Sequence, residues 1–186
     1  MKEMKKHFKD SWQELRQVKV LVITAMLIAV GIILGFFTIP ITPTQRVGFS
    51  SIANELIALL FGPVVSGISA GISDILKHII KPMGPFFPGF TISALVAGLI
   101  YGAFLYRRRL SFFRVLLANI TVTIVVNMTL NNIWMAMMYG SKTFGGWLIA
   151  RAPIQIMMIP IDAILFFIIA SMLKQAKVFN TITYNE

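Results

Sequence analysis

Between Val18 and Leu173, basic clusters, prolines and glycines divide the chain into six apolar stretches, and the positive charges fall unevenly around them. The stretches are 18–39, 49–62, 63–80, 90–106, 112–138 and 147–173. A helix needs about 20 apolar residues to cross a bilayer, so runs of this kind read as membrane spans. An even number of crossings returns both termini to one face, with the connections 40–48, 81–89 and 139–146 on the other. Twelve Lys and Arg residues then fall on the terminal side, in the leader, in Arg107–Arg114 and after Leu173. Five, namely Arg46, Lys77, Lys81, Lys142 and Arg151, fall on the opposite side or at its helix ends. Lys and Arg accumulate in cytoplasmic loops, so this asymmetry predicts cytoplasmic termini.

The expected fold is an all-α integral membrane protein of six transmembrane helices with both N- and C-termini cytoplasmic. It has a cytoplasmic amphipathic segment 1–17, a membrane domain 18–173 and a cytoplasmic tail 174–186. Hydrophobic residues at 57% and charged residues at 13% exclude a soluble domain of this size. The net charge of +10 reads as topology and attraction to anionic lipid, with no nucleic-acid partner. The first apolar run is too long for a secretion signal and lacks a cleavage site.

Several chemistries are excluded. The absence of cysteine removes disulfides, thiolate metal sites and sulfur nucleophiles. His7 and His78 are too far apart to share a metal, so neither a metal nor a cofactor is expected. Gly67-Ile68-Ser69-Ala70-Gly71 has the spacing of a nucleophile elbow, but that motif needs a strand and a strained turn that an apolar span does not supply. No phosphate-binding Gly-rich loop is present, so any energy for transport comes from another protein. An intramembrane enzyme using Asp74, His78 or Glu55, or a channel lined by the fifth helix, has no supporting motif.

In the leader, Phe8, Trp12 and Leu15 share one face of a helix, which predicts a helix on the lipid surface or docked to a partner. The second and third stretches meet at Phe61-Gly62-Pro63 without a charge, which predicts a tight hairpin whose first arm is short. Small residues four apart (Ala25 and Ala29, Gly31 and Gly35, Gly67 and Gly71, Ala94, Gly98 and Gly102) let helices approach closely. Glu55, Asp74 and Asp162 are the only acids between residues 15 and 185, and they and the intramembrane amides are expected to face the bundle interior. Asn127, Asn131 and Trp134 lie on one stripe of the fifth helix. Two amides and an indole suit the edge and the face of a heterocycle, or hydrogen bonding between helices and an interfacial belt. The proline- and phenylalanine-rich connections, with Pro40, Pro43 and Arg46 in one and Phe86, Phe87 and Phe90 in the other, are stiff enough to act as lids.

Taken together, Phe86-Phe87-Pro88-Gly89-Phe90-Thr91 leading into Ala94, Gly98, Tyr101 and Gly102, with Leu130-Asn131-Asn132-Ile133-Trp134 before Tyr139-Gly140, resemble the S components of energy-coupling factor (ECF) vitamin transporters, most closely the folate subgroup. The resemblance covers roughly residues 18–173. It implies a non-enzymatic plasma-membrane subunit that captures folate from outside for uptake. Its partners would be a transmembrane coupling protein and two cytoplasmic ATPases, with Ala25 and Ala29 as the docking pair. Phe86, Phe87, Phe90 and Trp134 would then contact the ligand rings and Asn127 and Asn131 the pterin edge. Arg46 and Arg151 would hold a carboxylate, or else contact headgroups or pair with an acid such as Asp74. Another vitamin or heterocyclic precursor, such as riboflavin or a pyrimidine or pterin precursor, is the neighbouring expectation.

Overall fold

The computed structural model describes residues 2–42, 45–82, 84–140 and 143–175, with side chains described for all of these except 2–6 and 38–47. Its helices are α1 (Lys2–Glu14), α2 (Val18–Phe36), α3 (Ser50–Ile80), α4 (Pro88–Leu105), α5 (Phe112–Val122), α6 (Asn131–Tyr139) and α7 (Phe144–Gln175). A π-helical segment, Thr123–Leu130, joins α5 to α6, so that Phe112–Tyr139 forms one continuous rod. The expected all-α architecture is present, with one addition in a connection. The connection after α2 carries an antiparallel hairpin of β1 (Thr38–Thr42) and β2 (Gln45–Gly48). A hairpin pairs its own backbone groups where the chain has left a helix, which the proline-rich composition did not disclose.

Among the described residues, five helices, α2, α3, α4, the Phe112–Tyr139 rod and α7, are long and apolar enough to cross a membrane. The second and third apolar stretches are one element broken at Gly62, whose φ of 84° and ψ of −172° are not helical. The break reverses the chain. Ser50 at the start of α3 and Lys77 near its end both come within 3.9 Å of where a Cβ on Gly35 would sit. The expected hairpin at Phe61–Pro63 is therefore present. At 1.5 Å per residue its first arm, Ser50–Phe61, rises only about 18 Å against a hydrocarbon core of about 30 Å. Such an arm survives only if protein surrounds it, and α3 is 78% buried over its apolar window where the other spans reach 33% or less.

The broken backbone at Gly62 is sealed by α1. Ser11 is fully buried, and its Oγ donates to the Phe61 carbonyl at 2.7 Å and accepts from the Val64 and Val65 amides at 3.1 and 3.2 Å. One hydroxyl thus serves the carbonyl end of one arm and the amide end of the next, and Pro63 contributes no amide that needs a partner. Gly62 is glycine for two reasons. Its φ is positive, and a Cβ there would lie 2.9 Å from the Ser11 Cβ and 3.0 Å from Tyr106. Further contacts hold α1 down: Arg107 pairs with Asp10 at 2.8 Å, the Tyr106 hydroxyl donates to Glu14 at 2.5 Å, and His7 meets the Tyr106 ring edge-on. Phe8 and Trp12 face outward, as an amphipathic surface helix requires. The opposite face, with Ser11 and Glu14, is docked on the bundle.

Close approach of backbones sets the rest. A Cβ on Gly102 would stand 2.3 Å from Pro63 Cα, and one on Gly98 would stand 2.5 Å from the Ser66 carbonyl oxygen. Across α2, a Cβ on Gly31 would lie 2.9 Å from the Ala53 Cβ. The small residues of α4 thus pack α4 on α3, and Gly31 packs α2 on the first arm of α3, as their spacing predicts. Glu55, Asn119 and Asn132 are buried in the bundle, and the Tyr101 hydroxyl donates to Asn119 at 2.8 Å.

Ser11→Ala should leave the break without its cap and lower stability by about 1–3 kcal/mol. Thermal unfolding of the purified protein in detergent checks this, and an unchanged midpoint would show that the cap contributes nothing. Burial raises the Glu14 pKa, outweighing the Tyr106 hydroxyl and Arg107, which lower it. A carboxyl whose folded pKa is raised favours the docked state below its unfolded pKa and loses that contribution as the pH climbs through the raised value. Proteolysis within α1 should therefore accelerate as the pH rises above about 4.5, and Glu14→Gln should flatten the dependence.

Candidate ligand site opposite α1

The N-terminal turn of α4 lies at the end of the bundle away from Tyr106 and α1. Phe87 precedes the turn in an extended conformation and Pro88 opens the helix, where its missing amide costs nothing. Phe87 meets Phe90 edge-on with ring centroids 6.1 Å apart and Trp134 of α6 at 5.8 Å. The Trp134 indole donates to Ser93 Oγ at 3.0 Å, which fixes the ring plane against α4. Gly89 leaves room for this group: a Cβ there would sit 2.5 Å from the Phe87 ring and 2.6 Å from that of Trp134.

The amide stripe straddles the π-helical segment. Two bonds span five residues, from the Asn131 amide to the Val126 carbonyl and from Thr129 Oγ1 to the Ile124 carbonyl at 2.9 Å. A π segment in a long helix re-aims the side chains that follow it, and such segments gather at functional sites. Nothing in its composition signals it, because its residues are ordinary span residues. Asn131 Nδ2 donates to Asn127 Oδ1 at 3.2 Å, so the two amides act as one unit. Arg151 of α7 reaches Asn132 Oδ1 at 3.4 Å, and Asn132 Nδ2 is held by the Met128 carbonyl at 2.9 Å. Asn131 Oδ1 and Arg151 Nε are buried without a hydrogen-bond partner among the described residues.

The expected residues thus divide. Phe87, Phe90 and Trp134 form one aromatic group, Asn127 and Asn131 pair on the Trp134 rod, and Arg151 comes to the same rod through Asn132. Phe86 is half exposed and lies against His78, with ring centroids 5.2 Å apart. Arg46 belongs to β2, and its side chain lies outside the described residues. Asp74 accepts from Thr91 Oγ1 at 2.8 Å, which ties α3 to the start of α4. Ser93 was missed, although a part-buried indole needs an acceptor and few hydroxyls in the fourth span could provide one. On the other side of the bundle, Ala25 and Ala29 are exposed and line an apolar cleft of about 360 Å³ between α2 and α3, together with Ile68 and Ile72.

Residues 19–170 match the family described as ECF transporter, substrate-specific component. This chain belongs to that family. It is a multi-pass plasma-membrane transport subunit and not an enzyme. It is 35% identical over 168 residues to the folate transporter FolT of Clostridium novyi, covering 90% of this chain and 97% of that protein. It is also 37% identical over 119 residues to FolT of Leuconostoc mesenteroides, covering 63% of this chain and 64% of that one. Among solved structures, a crystal structure of FolT bound with folic acid superposes with a TM-score of 0.73 at 31% identity, over 81% of this chain and 92% of that one.

Gly89→Ala should wedge Phe87 and Trp134 apart. The near-ultraviolet circular dichroism of the aromatic residues should fall while the far-ultraviolet helix signal holds. Identical aromatic spectra would mean that the rings do not depend on Gly89.

Proposed function

We propose that this chain is the folate-capturing subunit of an ECF transporter, with its site among α4, the α5–α6 rod and α7. The observation that carries the reading is the conjunction of an aromatic wall, Phe87 and Trp134, with two buried and unpartnered polar atoms, Asn131 Oδ1 and Arg151 Nε. Buried polar groups without partners are rare in folded proteins, and a ligand that supplies the missing bonds explains them. Folate matches in kind: ring faces for Phe87, Phe90 and Trp134, a donor-and-acceptor pterin edge for Asn127 and Asn131, and carboxylates for a guanidinium. The kinship with proteins named as folate transporters supports the same ligand. Arg46 and Phe86 complete the set from the flanking connections.

The subunit binds its ligand without altering it, and the energy for uptake comes from an ECF transmembrane coupling protein and two cytoplasmic ATPases. The cleft beside Ala25 and Ala29 is the docking face for the coupling protein, because two small side chains let a partner helix approach the α2 backbone. In the bilayer the two arms of α3 count separately, giving six crossings. The amphipathic segment 1–17, the membrane domain 18–173 and the tail 174–186 are disposed with both termini in the cytoplasm and the ligand site facing outward.

Equilibrium binding of folate to the purified subunit tests the site. Trp134→Ala and Arg151→Ala should each weaken binding at least about tenfold, the equivalent of roughly 1.4 kcal/mol. Wild-type affinity in both variants would remove these residues from the site. Mass spectrometry of the small molecule retained on purification separates folate from another vitamin.

A further inference from the structure

A second cleft, of about 230 Å³, opens at the same end of the bundle on the far side of α3. It lies between the C-terminal turn of α2, Ser50 at the start of α3 and the last turns of α3, which bring Asp74, Lys77, His78 and Lys81 to its wall. Its charges do not cancel locally. Asp74 offsets one of the two ammonium groups, acting on Lys77 from beyond ion-pair distance while it accepts from Thr91 at 2.8 Å. Among the described residues, no carboxylate lies within ion-pair distance of Lys77 or Lys81. Lys81 Nζ donates to the Phe36 carbonyl at 3.5 Å and stands 5.3 Å from the centre of the Phe36 ring, which partly neutralises the end of α2 and leaves further protons of the ammonium unused. Lys77 is only partly exposed and, among the described residues, makes no hydrogen bond of this kind.

The surroundings indicate which anion this positive charge would meet. Ile33, Phe37 and Ile79 stand 58%, 66% and 70% exposed around this end of α2 and α3. Apolar side chains of that exposure on spanning helices face hydrocarbon, so the lysines sit where the helices leave it, at headgroup depth. We propose that this cleft binds the phosphate of an anionic phospholipid, with Lys77 and Lys81 on the phosphate and acyl chains along Ile33 and Ile79. The site is distinct from the aromatic and amide group around Trp134, adjoining the proposed ligand set only where His78 stands 5.2 Å from Phe86, and it does not rest on the identity of the transported ligand. A free oxyanion or a ligand carboxylate would satisfy the same ammonium groups but would make no use of the apolar flank.

The test uses the full-length protein in nanodiscs of equimolar phosphatidylglycerol and phosphatidylcholine. After gentle extraction, the lipids retained on the protein are quantified by mass spectrometry. Wild-type protein should retain phosphatidylglycerol over phosphatidylcholine by about fivefold or more, the factor that one lysine near an anionic surface provides. Lys77→Gln with Lys81→Gln should return the ratio to that of the disc, Lys77→Arg should keep it, and folate affinity should be unchanged in all three proteins. No enrichment in the wild type, or full enrichment in the double glutamine variant, overturns the proposal. Displacement of the lipid by millimolar inorganic phosphate overturns it in favour of a free oxyanion. A fall in folate affinity on Lys77→Gln, with lipid retention intact, overturns it in favour of the ligand carboxylate.

Discussion

A backbone break inside a membrane domain has to be hydrogen-bonded by the protein itself, because hydrocarbon offers no substitute partner. Here that requirement meets one hydroxyl. Ser11 supplies an acceptor to Val64 and Val65 and a donor to Phe61, so the reversal at Gly62 depends on a helix that is not itself a span. The other features of the bundle follow from that reversal. It sets the short first arm in the interior, returns Ser50 to the level of Lys77, and presents Pro63 to the bare backbone of Gly102.

The two ends of the molecule are built by different physics. The α1 end is held by charge and hydrogen bonds, with Asp10 on Arg107 and Glu14 on Tyr106. The opposite end is held by ring packing and amides. Trp134 is anchored to Ser93, and the π-helical segment carries Asn127 and leads directly into Asn131 and Trp134. Arg151 is guided by Asn132, which is itself anchored to Met128, so its guanidinium is oriented without being neutralised. A guanidinium held by an amide keeps its charge, and buried intramembrane charges are costly unless they have a use.

Much of the fold was legible in the sequence, for identifiable reasons. Apolar length and the placement of Lys and Arg are averaged properties, and they marked the spans within a few residues. The small residues of α4 pointed to close packing because glycine and alanine four apart have few other uses in a bilayer. The candidate site was legible in part. Phe87, Phe90 and Trp134 came together as their residue types suggested, whereas Phe86 next to them went to His78. Backbone direction at the start of α4 decides that difference, and no property of the phenylalanine side chains does. Ser11 was not singled out, since a serine in a polar leader carries no signal until the carbonyl and amides it must serve have a location.

The sequence by itself determined that the chain lives in a membrane, where its helices begin and end to within a few residues, and which chemistries it lacks. Those are consequences of what each residue costs in lipid or in water, and that cost is local. Tertiary structure decided which hydroxyl seals the break at Gly62, that Arg151 meets Asn132 and, among the described residues, no acid, and that Lys77 faces a cleft where Asp74 offsets only part of the positive charge. Each of these depends on residues up to 54 positions apart that only the packed helices bring together, and a linear chain does not fix that.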